Sequence, residues 1–130
     1  MEPSAGEAGW QPLGEDVRRT LELLLDGPSD LHRGLRAQIP YAEMRDSGCS
    51  CPCVYLRVAA QAPRARQAAP AARGLGPVAS APLLDADGGY DGEATLFAHD
   101  GVLEDLQFCD WEGHGPGPRP LWEWLGPRYG

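Results

Sequence analysis

The 130-residue sequence has no lysine, no asparagine and a single isoleucine, Ile39, whereas alanine, glycine, proline, arginine and leucine are abundant. This bias is typical of a GC-rich coding sequence and predicts a high-GC bacterium as the source. The alanine-rich and proline-rich stretches can therefore reflect codon usage, and we do not interpret them as functional motifs.

Long apolar runs are also missing. A membrane-spanning helix needs about 18 to 20 apolar residues, and runs such as the leucine triplet 23–25 are far shorter. The N-terminus carries Glu2 and Glu7 and has no basic region before an apolar segment, so it does not have the pattern of a signal peptide. We therefore expect a cytoplasmic protein with no membrane partner, in which thiols are kept reduced.

The charge balance is acidic, with 19 carboxylate side chains against 11 arginines and a net charge of -8. This charge repels phosphate backbones, and the arginines are scattered along the chain instead of forming a basic stripe, so nucleic acid is not an expected partner. A chain of this length is expected to form one domain with a single core.

Two helices are predicted in the first third of the chain. Residues 1–14 lack periodicity and are predicted to be a mobile leader. Glu15 and Asp16 suit a helix N-terminus, and Ser29 is a suitable N-cap for a second helix that Pro40 ends. The two helices are expected to form a helical hairpin, whose apolar faces are Val17, Leu21, Leu24 and Leu25 in the first helix, and Leu31, Leu35 and Ile39 in the second.

Alternating patterns predict strands at 41–46, 53–58, 78–86, 93–99 and 102–111, with a flexible loop at 59–77. The best alternation places Tyr55 and Arg57 on the face opposite Val54 and Leu56. Asp100-Gly101 is a strong hairpin signal. The predicted fold is α+β, in which residues 15–130 form a single domain and the helical hairpin packs on an antiparallel sheet of four to five strands.

Three cysteines occupy alternate positions, Cys49, Cys51 and Cys53, so an extended backbone would direct their sulfur atoms to one side. A structural zinc site needs four ligands, and Cys109, His99 or His114 are candidates for the fourth. The alternatives are that the cysteines only pack a turn shaped by neighbouring Gly and Pro residues, or that Cys49 and Cys53 form a disulfide switch.

Other residues are interpreted structurally. The carboxylates around Gly88-Gly89 do not have the spacing of a calcium-binding loop and predict an acidic hairpin turn. The three histidines, including His32 on the polar side of its helix, are predicted to be solvent-exposed. The C-terminal aromatic residues are expected to dock the tail on the body, with a binding groove as the alternative; they are Trp111, Trp122, Trp124 and Tyr129.

Two segments carry a family resemblance: 35–58, LRAQIPYAEMRDSGCSCPCVYLRV, and 93–111, EATLFAHDGVLEDLQFCDW. Their order of LRxQ, a C-x-C-x-C turn, an apolar strand, a DG turn and a final L-x-x-L strand resembles a group of small uncharacterised actinobacterial proteins. The resemblance implies a bacterial source and a shared fold, and it implies no activity.

No catalytic motif is recognised in the sequence, so an enzyme is not the expected class. We expect a small non-catalytic binding or interaction module with a protein or small-molecule partner. The alternative is a thiol-based zinc-binding protein that uses Cys49, Cys51, Cys53 and Cys109.

Overall fold

The computed structural model describes residues 9–48, 52–65, 75–109 and 117–127. The helices in these segments are α1 (Glu15–Leu24), α2 (Asp30–Arg36) and α3 (Leu121–Trp124), with a 3-10 helix at Ile39–Tyr41. The strands are β1 (Gln11–Pro12), β2 (Ala42–Asp46), β3 (Val54–Val58), β4 (Leu75–Leu84), β5 (Tyr90–His99) and β6 (Val102–Cys109). The predicted α+β class is confirmed.

The strands form one antiparallel sheet in the order β1-β2-β3-β6-β5-β4. The antiparallel arrangement is confirmed, but the described residues contribute six strands, so the predicted size of four to five strands is wrong. The additional strand is β1, which pairs with β2 through only two residues, Gln11 and Pro12. A two-residue strand shows no alternation, and this one lies inside the segment predicted as a leader.

The predicted helical hairpin is not evident. The apolar face predicted for α1 is buried as expected, with Val17, Leu21 and Leu24 in the core. However, α1 packs mainly against α3 at the other end of the chain, and also against β4 and the 3-10 helix. The short helix α2, capped by Ser29 as predicted, instead contacts the edge of β4 through His32.

The β5–β6 hairpin forms at the predicted Asp100-Gly101 turn. Both turn residues have positive φ, 51° and 80° respectively, which is the requirement of the turn type that best matches the right-handed twist of paired strands. Strand β6 pairs with β5 on one side and with β3 on the other. Because β3 and β6 are antiparallel, the end of β6 lies beside the start of β3.

The helices cover one face of the sheet, which we call the core face, and the opposite side is the outer face. Alternation along β5 directs Ala94, Leu96 and Ala98 into the core, where Leu106 and Phe108 of β6 meet them. On β3, Leu56 faces the core and the next residue, Arg57, faces outward, as the sequence predicts.

A fully buried glutamine, Gln38, connects three segments behind this core. Its Nε2 donates hydrogen bonds to the carbonyl oxygens of Pro63 at 2.9 Å and Gly101 at 2.7 Å. Its Oε1 accepts from the backbone N–H of Leu103 at 3.1 Å. The side chain therefore joins the end of α2 to the loop after β3 and to the β5–β6 turn.

The outer edge of β4 is closed by hydrogen bonds that do not come from another strand. Three of its carbonyl oxygens accept from His32 Nε2, from Gly126 N and from Arg119 Nη1. The strand also contains Pro77 and Pro82, which cannot donate a ladder hydrogen bond. These features protect an edge strand from pairing with another chain.

Candidate functional site

The outer face carries a row of side chains that crosses four neighbouring strands. Arg45 on β2 pairs with Tyr55 on β3, which pairs with Asp105 on β6, which in turn pairs with Phe97 on β5. Cross-strand partners on one face lie about 4.5 to 5.5 Å apart at Cβ, so each member of the row is a close neighbour of the next. The sheet order that creates the row, with β6 next to β3, cannot be read from the strand patterns.

Two arginines and two aromatic residues form the outer-face cluster, which consists of Trp10, Arg45, Tyr55 and Arg57. The guanidinium groups of Arg45 and Arg57 lie over the Trp10 ring, with their Cζ atoms 4.9 and 4.7 Å from its centroid. Arg45 also lies 5.4 Å from the Tyr55 centroid. At these distances the ring quadrupoles attract the cations, and the contacts hold Trp10 against the sheet.

The two arginines differ in their charge partners. Arg57 Nε donates to Glu43 Oε1 at 2.8 Å on the neighbouring strand. The Arg45 side chain is solvent-exposed, and its guanidinium forms no ion pair or hydrogen bond with any residue that the structure describes. Arg45 is therefore a cation with available N–H donors.

A cleft of about 520 Å³ opens beside this cluster. Its walls include all four cluster residues, the apolar Val58 and Val102, and the carboxylate of Glu104. A neighbouring cleft of about 570 Å³ shares Arg57 and Val58 and extends past Pro12 and Tyr41. The first cleft combines aromatic, apolar and charged groups, which is the composition that ligand-binding clefts use.

Asp105 is a buried carboxyl group next to the cluster. Burial raises the pKa of Asp105 above its ordinary value of 3.8; the side-chain hydrogen bond with Gln107 opposes this shift, and the charge of Glu104 adds to it. Its Oδ1 is buried and has no hydrogen-bond partner within the described residues. The burial of a carboxyl group in this row was not predicted, because outward positions of a strand are normally polar and solvated.

The thiol residues lie at one end of β3 and β6. Cys53, directly before β3, is half-buried, and its Sγ accepts a hydrogen bond from the backbone N–H of Phe108 at 3.3 Å. Cys109 is exposed at the end of β6. Cys49 and Cys51 lie outside the described residues. The two described cysteines therefore lie at the same end of the neighbouring strands β3 and β6.

No group of three or more His, Cys, Asp or Glu side chains in the described segments is arranged to hold a metal ion. His99 is exposed as predicted, with Nε2 3.6 Å from Asp100 Oδ2, and His114 is outside the described residues. A metal site at the end of β3 would therefore have to take further ligands from Cys49 or Cys51.

The prediction that His32 is solvent-exposed is wrong, because its side chain is buried. Its Nε2 lies 2.8 Å from the carbonyl oxygen of Val78. A carbonyl only accepts, so Nε2 carries a proton and donates it. Nδ1 is buried beside Gly27 and has no partner among the described residues. The helical pattern of α2 placed His32 on the polar side, but β4 covers that side.

The acidic segment is a hairpin turn, as predicted. Asp85 Oδ1 accepts from the backbone N–H groups of Asp87 at 2.9 Å and Gly89 at 2.8 Å. The β4 and β5 strands flank this turn. The carboxylate that could have bound a cation therefore stabilises the backbone of the turn.

The predicted docking of the C-terminal tail is confirmed for the part that the structure describes. Leu121 and Trp124 are buried, and Asp16 of α1 caps α3 by accepting from the backbone N–H groups of Leu121 at 2.9 Å and Trp122 at 3.3 Å. Trp122 is half-buried beside a 310 Å³ cleft on α1. Trp111 and Tyr129 lie outside the described residues.

None of the helices in the described segments is long and apolar enough to cross a bilayer. Comparison with protein-family models, with curated proteins and with solved structures finds no match for this chain. The resemblance to small actinobacterial proteins therefore stays a prediction.

Proposed function

We propose that this protein is a small non-catalytic binding module whose binding surface is the 520 Å³ cleft on the outer face. The observation that carries the proposal is the outer-face cluster, which lines this cleft with two arginines, a tryptophan and a tyrosine. Trp, Tyr and Arg are the residues that contribute most of the affinity in binding surfaces. Their concentration on one face favours recognition of a ligand.

The positions of the buried titratable groups favour binding over acid–base catalysis. Asp105 lies on β6, whereas His32 contacts the edge of β4, and β5 separates these strands. General acid–base catalysis needs both groups within hydrogen-bond reach of one substrate. Detection of a turnover that a single side-chain change abolishes would contradict the proposal.

Protein-observed NMR with a library of small-molecule fragments tests where binding occurs. We expect hits to shift the backbone amide resonances of β2, β3 and β6 around Arg45 and Tyr55. The variant Tyr55→Ala removes a 41% exposed ring from the cleft and should lose these hits, whereas the control Tyr90→Ala removes a 61% exposed ring from the distant acidic turn and should keep them. Hits that map to the α1–Trp122 cleft, or that survive Tyr55→Ala unchanged, would refute the proposal.

A thiol-based metal centre is the second candidate function. It is favoured by the position of Cys53 and Cys109 at the same end of the neighbouring strands β3 and β6 and by the N–H···S hydrogen bond from Phe108 to Cys53, since hydrogen bonds to the sulfur atoms tune metal–thiolate sites. In this proposal Cys49 and Cys51 complete a four-thiolate zinc site. A reducing cytoplasmic location would keep these thiols from forming disulfides.

Metal analysis of protein purified without chelator tests this second candidate. We expect about one zinc ion per chain, as a single tetrahedral site requires, and loss of that zinc in Cys53→Ser and Cys109→Ser. Replacement by cobalt should produce the near-ultraviolet charge-transfer bands of thiolate ligation and the visible d–d bands of a tetrahedral site. Protein that contains no stoichiometric zinc or other soft metal would exclude the metal centre and leave the outer-face proposal untouched.

A further inference from the structure

Arg45 has no carboxylate partner in the described segments, whereas four other arginines do. Arg18, Arg19 and Arg33 pair with carboxylates on their own helices, and Arg57 pairs with Glu43 across two strands. The remaining arginines of the described segments, Arg45 among them, form no ion pair there. Arg45 and Arg57 both line the outer-face cleft, and Arg57 is the one of the two that pairs with a carboxylate in the described segments.

The contacts of Arg45 leave its donors available. The guanidinium lies within stacking distance of the Trp10 ring at 4.9 Å and of the Tyr55 ring at 5.4 Å. Stacking uses the faces of the guanidinium plane, while the N–H donors point outward from its edge. The two rings therefore restrict the orientation of Arg45 without consuming its hydrogen bonds, which reduces the entropy that a ligand must overcome.

We propose that Arg45 binds the carboxylate of a small organic acid whose apolar or aromatic part packs in the cleft against Tyr55 and Val102; this inference rests on the outer-face binding function. A guanidinium edge matches a carboxylate with two parallel hydrogen bonds. The cleft volume of about 520 Å³ is within the range of small-molecule sites.

The surrounding charges favour a single carboxylate over a phosphate. Glu104 lines the same cleft, and Glu43 lies on the same face beside Arg57. A phosphate monoester carries a charge approaching -2 at neutral pH, so it would be repelled more strongly by these carboxylates and by the net charge of -8. A monoanion gains the contact with Arg45 at a lower electrostatic cost.

Three probes with one ring and different head groups test the inference: phenylacetate, phenylacetamide and phenyl phosphate. Binding is followed by the amide resonances of Arg45, Tyr55 and Glu104. Phenylacetate should bind about tenfold more tightly than the neutral amide, since a hydrogen bond to a charged group is stronger than a neutral one. Phenyl phosphate should bind more weakly than phenylacetate.

Two variants locate the effect. Arg45→Gln keeps a planar hydrogen-bonding group but removes the charge, and it should abolish the preference for phenylacetate over phenylacetamide. Arg33→Gln removes an exposed arginine from α2, away from the cleft, and should leave the preference intact. Both variants should show the wild-type pattern of NMR resonances outside the changed site, which excludes misfolding as the cause.

The outcomes separate this inference from the function on which it rests. Equal binding of acid and amide in the cleft, or tighter binding of phenyl phosphate, would overturn the carboxylate inference and leave the binding module standing. If none of the probes and none of the fragments shifts the outer-face resonances, both are wrong. An acid preference that persists in Arg45→Gln would assign the carboxylate to another group.

Discussion

The variant Gln38→Leu should destabilise the fold strongly, although the two side chains are similar in size. Gln38 is fully buried and makes three hydrogen bonds. Its loss leaves the buried N–H of Leu103 without an acceptor, which costs about 1 to 3 kcal/mol, and each of the other two hydrogen bonds contributes about 0.5 to 1.5 kcal/mol. After an offset for the buried leucine, we expect a loss of about 3 kcal/mol and a fall in Tm of about 10 °C.

Urea denaturation followed by circular dichroism measures this loss. The same substitution at an exposed position, Gln61→Leu, should change the free energy of unfolding by no more than about 0.5 kcal/mol. Gln38→Glu gives a second check, because an ionised carboxylate faces the carbonyl oxygens of Pro63 and Gly101 and only its protonated form can donate to one of them. Its folded-state pKa is therefore raised, so the variant should lose stability as the pH rises above about 4.3. Wild-type stability in Gln38→Leu would refute the reasoning.

Three further substitutions test individual contacts. A Cβ atom on Gly27 would lie 2.7 Å from His32 Nδ1, so Gly27→Ala should lower the free energy of unfolding in urea by about 1 to 3 kcal/mol; Gly76→Ala, where no atom lies within 4 Å, should not. Burial raises the pKa of Asp105, so the contribution of this residue to the stability of the native state falls as the pH rises above 3.8; Asp105→Asn should therefore gain stability relative to wild type at neutral pH more than in acid, and a pH-independent difference would contradict this. Asp16→Ala removes the cap of α3 and should cost about 1 kcal/mol, with faster amide hydrogen exchange confined to α3; unchanged exchange would contradict the capping role.

Several elements could be predicted from local patterns because their causes are local. The apolar spacing from Val17 to Leu24 defines the buried face of α1, and Ser29 forms the predicted cap of α2. The Asp100-Gly101 dipeptide forms the hairpin turn because both residues adopt positive φ. In these cases a few neighbouring residues determine the backbone conformation, so the local sequence is enough to predict it.

The features that the sequence did not predict depend on contacts between residues that are far apart in the chain. His32 is polar and lies on the side of α2 that local amphipathicity assigns to solvent, yet β4, more than 40 residues later, buries it. Gln38 has partners 25 to 65 residues away. Strand β1 is recognisable only through its pairing with β2. Such burial depends on the strand order, which no strand pattern in isolation encodes.

The candidate site was missed for the same reason. Tyr55 and Arg57 were correctly predicted on the face opposite Leu56, but the positions of Trp10, directly before β1, and of Glu104 on β6 depend on the order of the sheet. The cysteine turn was the site that the sequence indicated most directly, because three of its four candidate ligands are close together in the chain. The outer-face cluster assembles from three separate segments.

A crystal structure of the protein soaked with phenylacetate tests the central claim most directly. We expect the carboxylate within hydrogen-bond distance of the Arg45 guanidinium and the ring against Tyr55, inside the outer-face cleft. Phenylacetate found only beside Trp122, or density absent from the outer-face cleft in crystals where that cleft is open to solvent, would contradict the claim that this face is the binding surface.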